Sequence, residues 1–281
     1  MKIAVFGNEY QGSHVQEVKD LLQGLRQRGL HVMVEQAFAA YLHTHEDCTF
    51  DHLRPGDLDA AMSLGGDGTL LRTAQLLHGI DVPVMGINTG HLGYLTTAGL
   101  DEAPAVIDQW LAGRCHEERR TMLCVTRNDG VAIASNHALN EVALLRQDTS
   151  SMIAMETLIN GIPLTTYKGD GLVVSTPSGS TAYNLSAGGP IMDPTTACLV
   201  LTTVSSHTLN MRPLVVRDDA VITITTRSRA SHFQVSIDGN AVLCPSGATV
   251  TIAKSPHTLR LVQSPEHHFA ATLRHKLQWG L

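Results

Sequence analysis

Apolar and polar positions follow two rhythms along this chain. Lys2–Phe6 is a short apolar run of β type, followed by a polar loop, Gly7–Gly12. His14–Arg28 then places Val15, Val18, Leu21, Leu22 and Leu25 on one stripe, the spacing of an amphipathic helix. Gly29 stands where such a helix ends, and Leu30–Glu35 predicts the next strand. Residues 41–57 are polar and mixed, which predicts a loop with a short helix. Leu58–Leu64 is another apolar run, Leu70–Leu77 returns to helical period, Val82–Gly86 predicts a strand, and Ala103–Leu111 a helix ending at Gly113. Strands alternating with helices build an open parallel sheet with right-handed crossovers, and such sheets bind ligands at the carboxyl ends of their strands.

The texture then changes. Cys115–Arg120 is charged and predicts a connector. Beyond it lie β-like runs: Met122–Arg127, Val131–Asn136, Asn140–Leu145 and Ser151–Ile159, with Asn160-Gly161 as a hairpin turn. Val221–Thr226, Gln234–Ile237, Thr249–Ala253 and Leu259–Val262 follow, several of them alternating with period two. Phe269–Leu281, with Leu273 and Leu277 four apart, predicts a closing helix. The expected organisation is an α/β domain with an open, mainly parallel sheet over 1–118, an antiparallel β-rich domain over 119–262, and a segment 263–281 that returns to the first domain.

Composition narrows the class. Of 281 residues, 43 % are hydrophobic and 16 % charged, which predicts a folded core rather than disorder. Only 4 % are aromatic, so that core rests on Leu, Val, Ile and Ala. A net charge of −6 without a basic block argues against nucleic-acid and anionic-membrane partners. No apolar run is long enough for a membrane span, and the N-terminal run is too short for a signal peptide. The five scattered cysteines form no CxxC pair, which fits a reducing cytosol and no zinc site. The close histidine pairs His43/His45 and His267/His268 lack metal-motif spacing, so no metal-ligating residues are assigned.

Two stretches carry chemistry. Gly65-Gly66-Asp67-Gly68-Thr69 lies between an expected strand and an expected helix. Glycines there permit a sharp turn and close approach of a phosphate, and the free N–H groups opening the helix favour an anion. A carboxylate in that turn suits Mg²⁺ held through phosphate, or proton removal from an attacking hydroxyl. The plainer alternative is a helix cap by Asp67. The turn is neither the GxGxxG fingerprint nor a P-loop, because no Lys-Ser/Thr follows. The second stretch, Gly169–Pro190, predicts a strand at Leu172–Ser175, a turn dense in Ser, Thr and Gly, and a helix start at Ser180-Thr181. With it goes Asn140-Glu141, whose amide and carboxylate suit an adenine edge and ribose hydroxyls.

Taken together, Gly65–Leu71, Asn88–Leu95, Asn140-Glu141 and Asp170–Pro190 resemble the NAD kinase family, in particular its bacterial ATP/polyphosphate-dependent members. The resemblance implies an α/β domain and a β-rich domain with the site in the cleft between them. It implies phosphoryl transfer to the 2′-hydroxyl of the adenosine ribose of NAD, giving NADP. The implied donor is ATP, in some members polyphosphate, with a divalent cation, usually Mg²⁺, in a cytoplasmic homodimer or homotetramer. Carried over by position, Asp67 is the catalytic base and Gly68 faces phosphate. Asn140 and Glu141 hold adenine and ribose, and Asp170 meets the nicotinamide end. Thr181, Ala182 and Tyr183 shape the adenine pocket beside Ser178, Asn184, Leu185 and Ser186. Arg72 and Lys168 contact phosphate or substrate. Asn240, in Asp238-Gly239-Asn240, stands where the family often carries a longer Gln. Two other readings share features of the chain. A lipid (diacylglycerol or sphingoid) kinase shares the glycine turn but would want a membrane-facing segment. A non-catalytic dinucleotide sensor would not need Asp67.

Overall fold

The computed structural model describes the chain apart from Tyr10, residues 45–47, 91–92, Ala134, 149–151 and 279–281. His45, two residues of the Asn88–Leu95 loop, the start of the expected strand Ser151–Ile159 and the end of the expected helix Phe269–Leu281 therefore lie outside the described residues. The chain divides into two compact units, residues 1–119 with 259–281, and residues 120–258.

The first unit begins with β1 (Lys2–Gly7), α1 (Val15–Gln27), β2 (His31–Glu35), α2 (Gln36–Leu42) and β3 (Thr49–Phe50). It continues with β4 (Ala60–Leu64), α3 (Asp67–Leu76), β5 (Pro83–Asn88), β6 (Ala98–Gly99) and α4 (Ala103–Leu111). The strands lie in the order β3-β2-β1-β4-β5, all neighbours parallel. The end of the strand Thr249–Gln263 completes the order beside β5, pairing Arg260 with Pro83 and Leu261 with Val84 in parallel. The chain runs outward from β1 on one side and resumes at β4 on the other. That reversal is a topological switch point, where open α/β sheets hold ligands. The loops after β1 and β4 both end there. The stripe on α1 buries Val18, Leu21, Leu22 and Leu25 against a core that includes Phe38, Leu42, Met62, Leu64 and Ile87. The short helix comes earlier than the sequence pattern suggests. It is α2, ahead of the polar stretch, because Phe38, Ala39 and Leu42 give it an apolar face.

Most of the expected connector Cys115–Arg120 is instead the start of β7 (His116–Arg127), which begins in the first unit and runs on into the second. Its charges are compatible with a strand because Glu117 is paired by the Arg260 guanidinium, at 2.7 and 3.2 Å, within the first unit. The expected strand Val131–Asn136 is irregular among its described residues. Asp129 accepts the Val131 N–H at 3.1 Å, which makes this a polar turn. The remaining strands are β8 (His137–Ala138), β9 (Glu141–Arg146), β10 (Ile153–Ile159), β11 (Ile162–Gly169), β12 (Gly171–Ser175) and β13 (Cys198–Val204). They continue with β14 (Leu214–Arg217), β15 (Ile222–Arg227), β16 (His232–Ile237), β17 (Asn240–Pro245) and β18 (Thr249–Gln263). The two expected strands at 249–253 and 259–262 are thus one. A six-stranded antiparallel sheet runs β14-β13-β12-β9-β16-β17. A second antiparallel layer runs β11-β10-β15 to the first half of β18. Leu144, Val174 and Phe233 of one layer and Met155, Ile224 and Val250 of the other share one core. Asn160-Gly161 and Asp238-Gly239, all at positive φ, close the β10–β11 and β16–β17 hairpins with two-residue turns. After β12 come a 3-10 turn (Ser178–Thr181) and the one-turn helix α5 (Tyr183–Ser186), a shorter element than the helix start at Ser180-Thr181 suggests. The last helix, α6, spans Phe269–Leu277.

Candidate active site

Asp67 is the first residue of α3 and not its cap. The cap position is Gly66, and no side chain caps this helix. The carboxylate turns instead to the loop after β5. It accepts the Tyr94 N–H at 2.8 Å on Oδ2 and the Leu95 N–H at 3.0 Å on Oδ1. The approach is close enough that a Cβ on Gly93 would stand 1.9 Å from Asp67 Oδ1, so only glycine fits. The loop is itself braced. Asn88 Oδ1 accepts the Gly90 N–H at 2.7 Å, and Thr96 Oγ1 accepts the Gly93 N–H at 3.0 Å. Burial and the Asp67 charge push the Tyr94 phenol up, so it stays neutral at ordinary pH. Gly68 is exposed, with nothing within 4 Å of where a side chain would begin. The first turn of α3 is thus open to an anion. Asn8 donates to Thr69 Oγ1 at 2.6 Å and Gln11 to the Leu64 carbonyl at 3.1 Å, which ties the loops after β1 and β4 together at the switch point.

Arg72 is committed elsewhere. Its guanidinium donates to both carboxylate oxygens of Glu35, at 2.6 and 2.5 Å, and to the Gly7 carbonyl at 2.6 Å. Arg72→Met is expected to cost about 1–2 kcal/mol of stability, since it strands a mostly buried Glu35. The KM for ATP should change little. A large rise in that KM, measured beside a melting curve, would return Arg72 to the phosphate.

In the second unit, Asn140 and Glu141 sit where β9 begins, and Glu141 is in register with Ser175 at the end of β12. The backbone here is held on both sides. Ser175 Oγ and the Thr176 N–H both donate to the Asn140 carbonyl, at 3.3 and 2.9 Å. Thr176 Oγ1 donates to the Leu139 carbonyl at 2.5 Å. Gly179 of the 3-10 turn passes so near that a Cβ would lie 2.2 Å from the Asn140 oxygen. The side chains are less occupied. Asn140 Oδ1 and Glu141 Oε2 are buried and meet no hydrogen-bond partner among the described residues. Buried polar atoms left without partners are costly, and a ligand that supplies donors removes the cost. Burial, and then the Asp238 charge, push Glu141 up to about 7, while the Tyr183 N–H acts against them.

The other expected residues fall around this point in different ways. Tyr183 is near both Asp170 and Glu141, and burial together with those two charges pushes its phenol up. Asp170 pairs with Arg146 at 3.0 Å. Ser178 Oγ accepts from Arg120 at 3.3 Å, and Thr181 Oγ1 donates to the Ser178 carbonyl at 3.5 Å. Ala182 links the 3-10 turn to α5, Leu185 is half-buried, and Ser186 is exposed. Asn184 is fully buried and its amide is spent internally, donating to the Ser180 and Pro190 carbonyls and accepting from Thr202 Oγ1 at 2.7 Å. Lys168 lies exposed on β11, and Asn240 exposed at the start of β17.

Sequence reasoning passed over Gly93, Tyr94 and Leu95 as the holders of Asp67, and Asp238 beside Asn140. The Asp-Gly turn pair was the available signal for the latter. Among the described residues no group of three or more His, Cys, Asp or Glu could hold a metal, and no helix is long and apolar enough to cross a membrane.

Known proteins resemble this chain in the same two parts. The description "ATP-NAD kinase N-terminal domain" matches residues 3–115 and "ATP-NAD kinase C-terminal domain" residues 139–264. An NAD kinase of Porphyromonas gingivalis is 40 % identical over 99 % of this chain and 98 % of its own length. One of Bacteroides fragilis is 38 % identical over 100 % and 98 %. The solved NAD kinase of Archaeoglobus fulgidus in complex with ATP is 27 % identical, with a TM-score of 0.77 over 99 % of each chain. Yeast NADH kinase complexed with NADH, 22 % identical, shares the fold at a TM-score of 0.88 over 100 % of this chain and 88 % of that one. With both family domains matched in order and full-length relatives at this identity, the chain belongs to the NAD kinase family of phosphotransferases.

Proposed function

We propose that this chain transfers the γ-phosphoryl group of ATP to the 2′-hydroxyl of the adenosine ribose of NAD, giving NADP and ADP. The observation that carries the reading is Asp67. It is a carboxylate at a helix N-terminus on the switch point, aimed by two backbone amides and left without a capping duty. In this reading Asp67 takes the 2′-hydroxyl proton as the ribose oxygen bonds to the γ-phosphorus and the bond to the β-phosphate oxygen breaks. Gly68 and the first turn of α3 receive phosphate charge. Asn140 and Glu141, with their open buried oxygens, take hydrogen bonds from the adenine amine and the ribose hydroxyls. Tyr183, Thr181 and Ala182 border the base, and Asp170 serves the nicotinamide end. Asn184 acts by holding the turn.

Kinases of this kind work with a divalent cation, here Mg²⁺ in our reading. When bound, the cation would neutralise phosphate charge beside Asp67 and the first turn of α3. The reading extends to a cytoplasmic homodimer or homotetramer, and the five free thiols support a reducing compartment. Relatives at 34–40 % identity carry the name NAD kinase, which sets the lipid-kinase alternative aside.

The test is purified protein with NAD, ATP and Mg²⁺, with NADP read through an NADP-specific dehydrogenase. NADP should form, and chelation of the cation with EDTA should stop it. Substituting polyphosphate for ATP defines the donor range. No NADP with either donor, alongside tight NAD binding, would point to the sensor instead.

A further inference from the structure

Asp238 lies in the two-residue turn between β16 and β17, far from Asn140 in sequence, and is mostly buried at a positive φ of 45°. Its carboxylate accepts three consecutive backbone N–H groups: Leu139 at 2.6 Å, Asn140 at 2.9 Å and Glu141 at 3.0 Å. Its own N–H donates back to the Glu141 carbonyl at 3.1 Å. The carbonyls of Leu139 and Asn140 are held from the other side by Ser175 and Thr176. The dipeptide is therefore fixed through its backbone, while Asn140 Oδ1 and Glu141 Oε2 stay open. An ordinary hairpin turn needs no such buried carboxylate. The Asp-Gly pair would close it equally well with the side chain in solvent.

We propose that Asp238 is a positioning residue for the dinucleotide, holding Asn140 and Glu141 where their free oxygens meet the adenosine. This rests on NAD being the substrate. A second consequence follows from charge. Glu141 is pushed up to about 7 by burial and by Asp238, and Asp238 up to about 6 by burial against its three N–H bonds. Tyr183 of α5 is close to Glu141 and to Asp170, which pairs with Arg146. An ionised Glu141 accepts a ribose hydroxyl at Oε2 while it also accepts the Tyr183 N–H. A protonated one must donate and loses an acceptor position. NAD affinity should therefore be full above about pH 7 and weaken as pH falls through that value.

The experiment is NAD titration of the full chain by calorimetry from pH 6 to 8.5, with wild type, Asp238→Asn and Glu141→Gln, and a melting curve for each. Asp238→Asn presents an amide to one of the three N–H donors, so NAD affinity at pH 8 should drop about tenfold. Because the variant also removes a negative charge beside Glu141, its inflection should move to lower pH. Glu141→Gln should bind weakly and lose the inflection near pH 7. An Asp238→Asn protein that melts earlier but keeps wild-type affinity and inflection would reduce Asp238 to a hairpin brace and overturn the proposal. So would an inflection near pH 7 that survives in Glu141→Gln, whereas loss of affinity near pH 6 in that variant, where Asp238 takes up its proton and gives up an acceptor, supports the positioning role even if Asp238→Asn does not fold. Wild-type protein that binds no NAD at any pH would instead sink the proposed function, and this inference with it.

Discussion

Asp67→Asn will bind NAD and ATP with KM values close to wild type and turn over about 10²–10⁴-fold more slowly, the usual worth of one positioned base. The substitution keeps the volume and one acceptor oxygen. It removes the lone pair that would take the 2′-hydroxyl proton. It also sets an NH₂ group against one of the two amides, Tyr94 or Leu95, that now aim the carboxylate. Ground-state contacts with the nucleotides come from elsewhere in this reading, so the loss belongs in kcat. Steady-state rates with both substrates varied would show it. A kcat within about tenfold of wild type would be too small for a base.

Gly93→Ala tests the same carboxylate without touching its chemistry. The new methyl would stand 1.9 Å from Asp67 Oδ1 and 2.4 Å from its Cγ, inside any real contact distance. The loop backbone and the carboxylate must separate, and the Tyr94 and Leu95 amides lose their grip. A displacement of about 1 Å at a reacting group can cost about 10²-fold in rate. We expect that loss in kcat, with Asp67 intact and the fold retained. Combined with Asp67→Asn, Gly93→Ala should add little, because residues acting as one unit are not additive. Additive losses in the double variant would separate the glycine from the base.

What could be read in the sequence divides along physical lines. α1 was legible because five apolar residues repeat at helical spacing, and the Asn160-Gly161 hairpin because Asn-Gly tolerates the positive φ it adopts. β13 is buried along most of its length and offers no alternation, and β11 exposes Ile162 and Leu164 on its outer part, so neither has the period-two signature. The strand at 116–120 is masked by charges whose partner, Arg260, lies 143 residues away from Glu117. The site shows the same division. Glycines and hydroxyls announce a ligand turn by composition. The Tyr94 and Leu95 amides carry no residue-type signal, being backbone. Asp238 reaches Glu141 across 97 residues and Arg72 reaches Glu35 across 37, separations at which no local pattern survives.

The last strand has a bearing on how the protein is made. Residues 259–281 belong with the first unit, and Arg260 and Leu261 supply the parallel neighbour of β5. A ribosome therefore delivers the whole second unit before it delivers the strand that closes the first. Until then the edge of β5 is open at Pro83 and Val84, β6 pairing only its far end, and Met85 and Ile87 lack Val262 of their shared core. The contiguous unit, synthesised second, is the one whose strands are all available first. Completion of the N-terminal part waits for the strand residues after 258, and sequence order and folding order come apart.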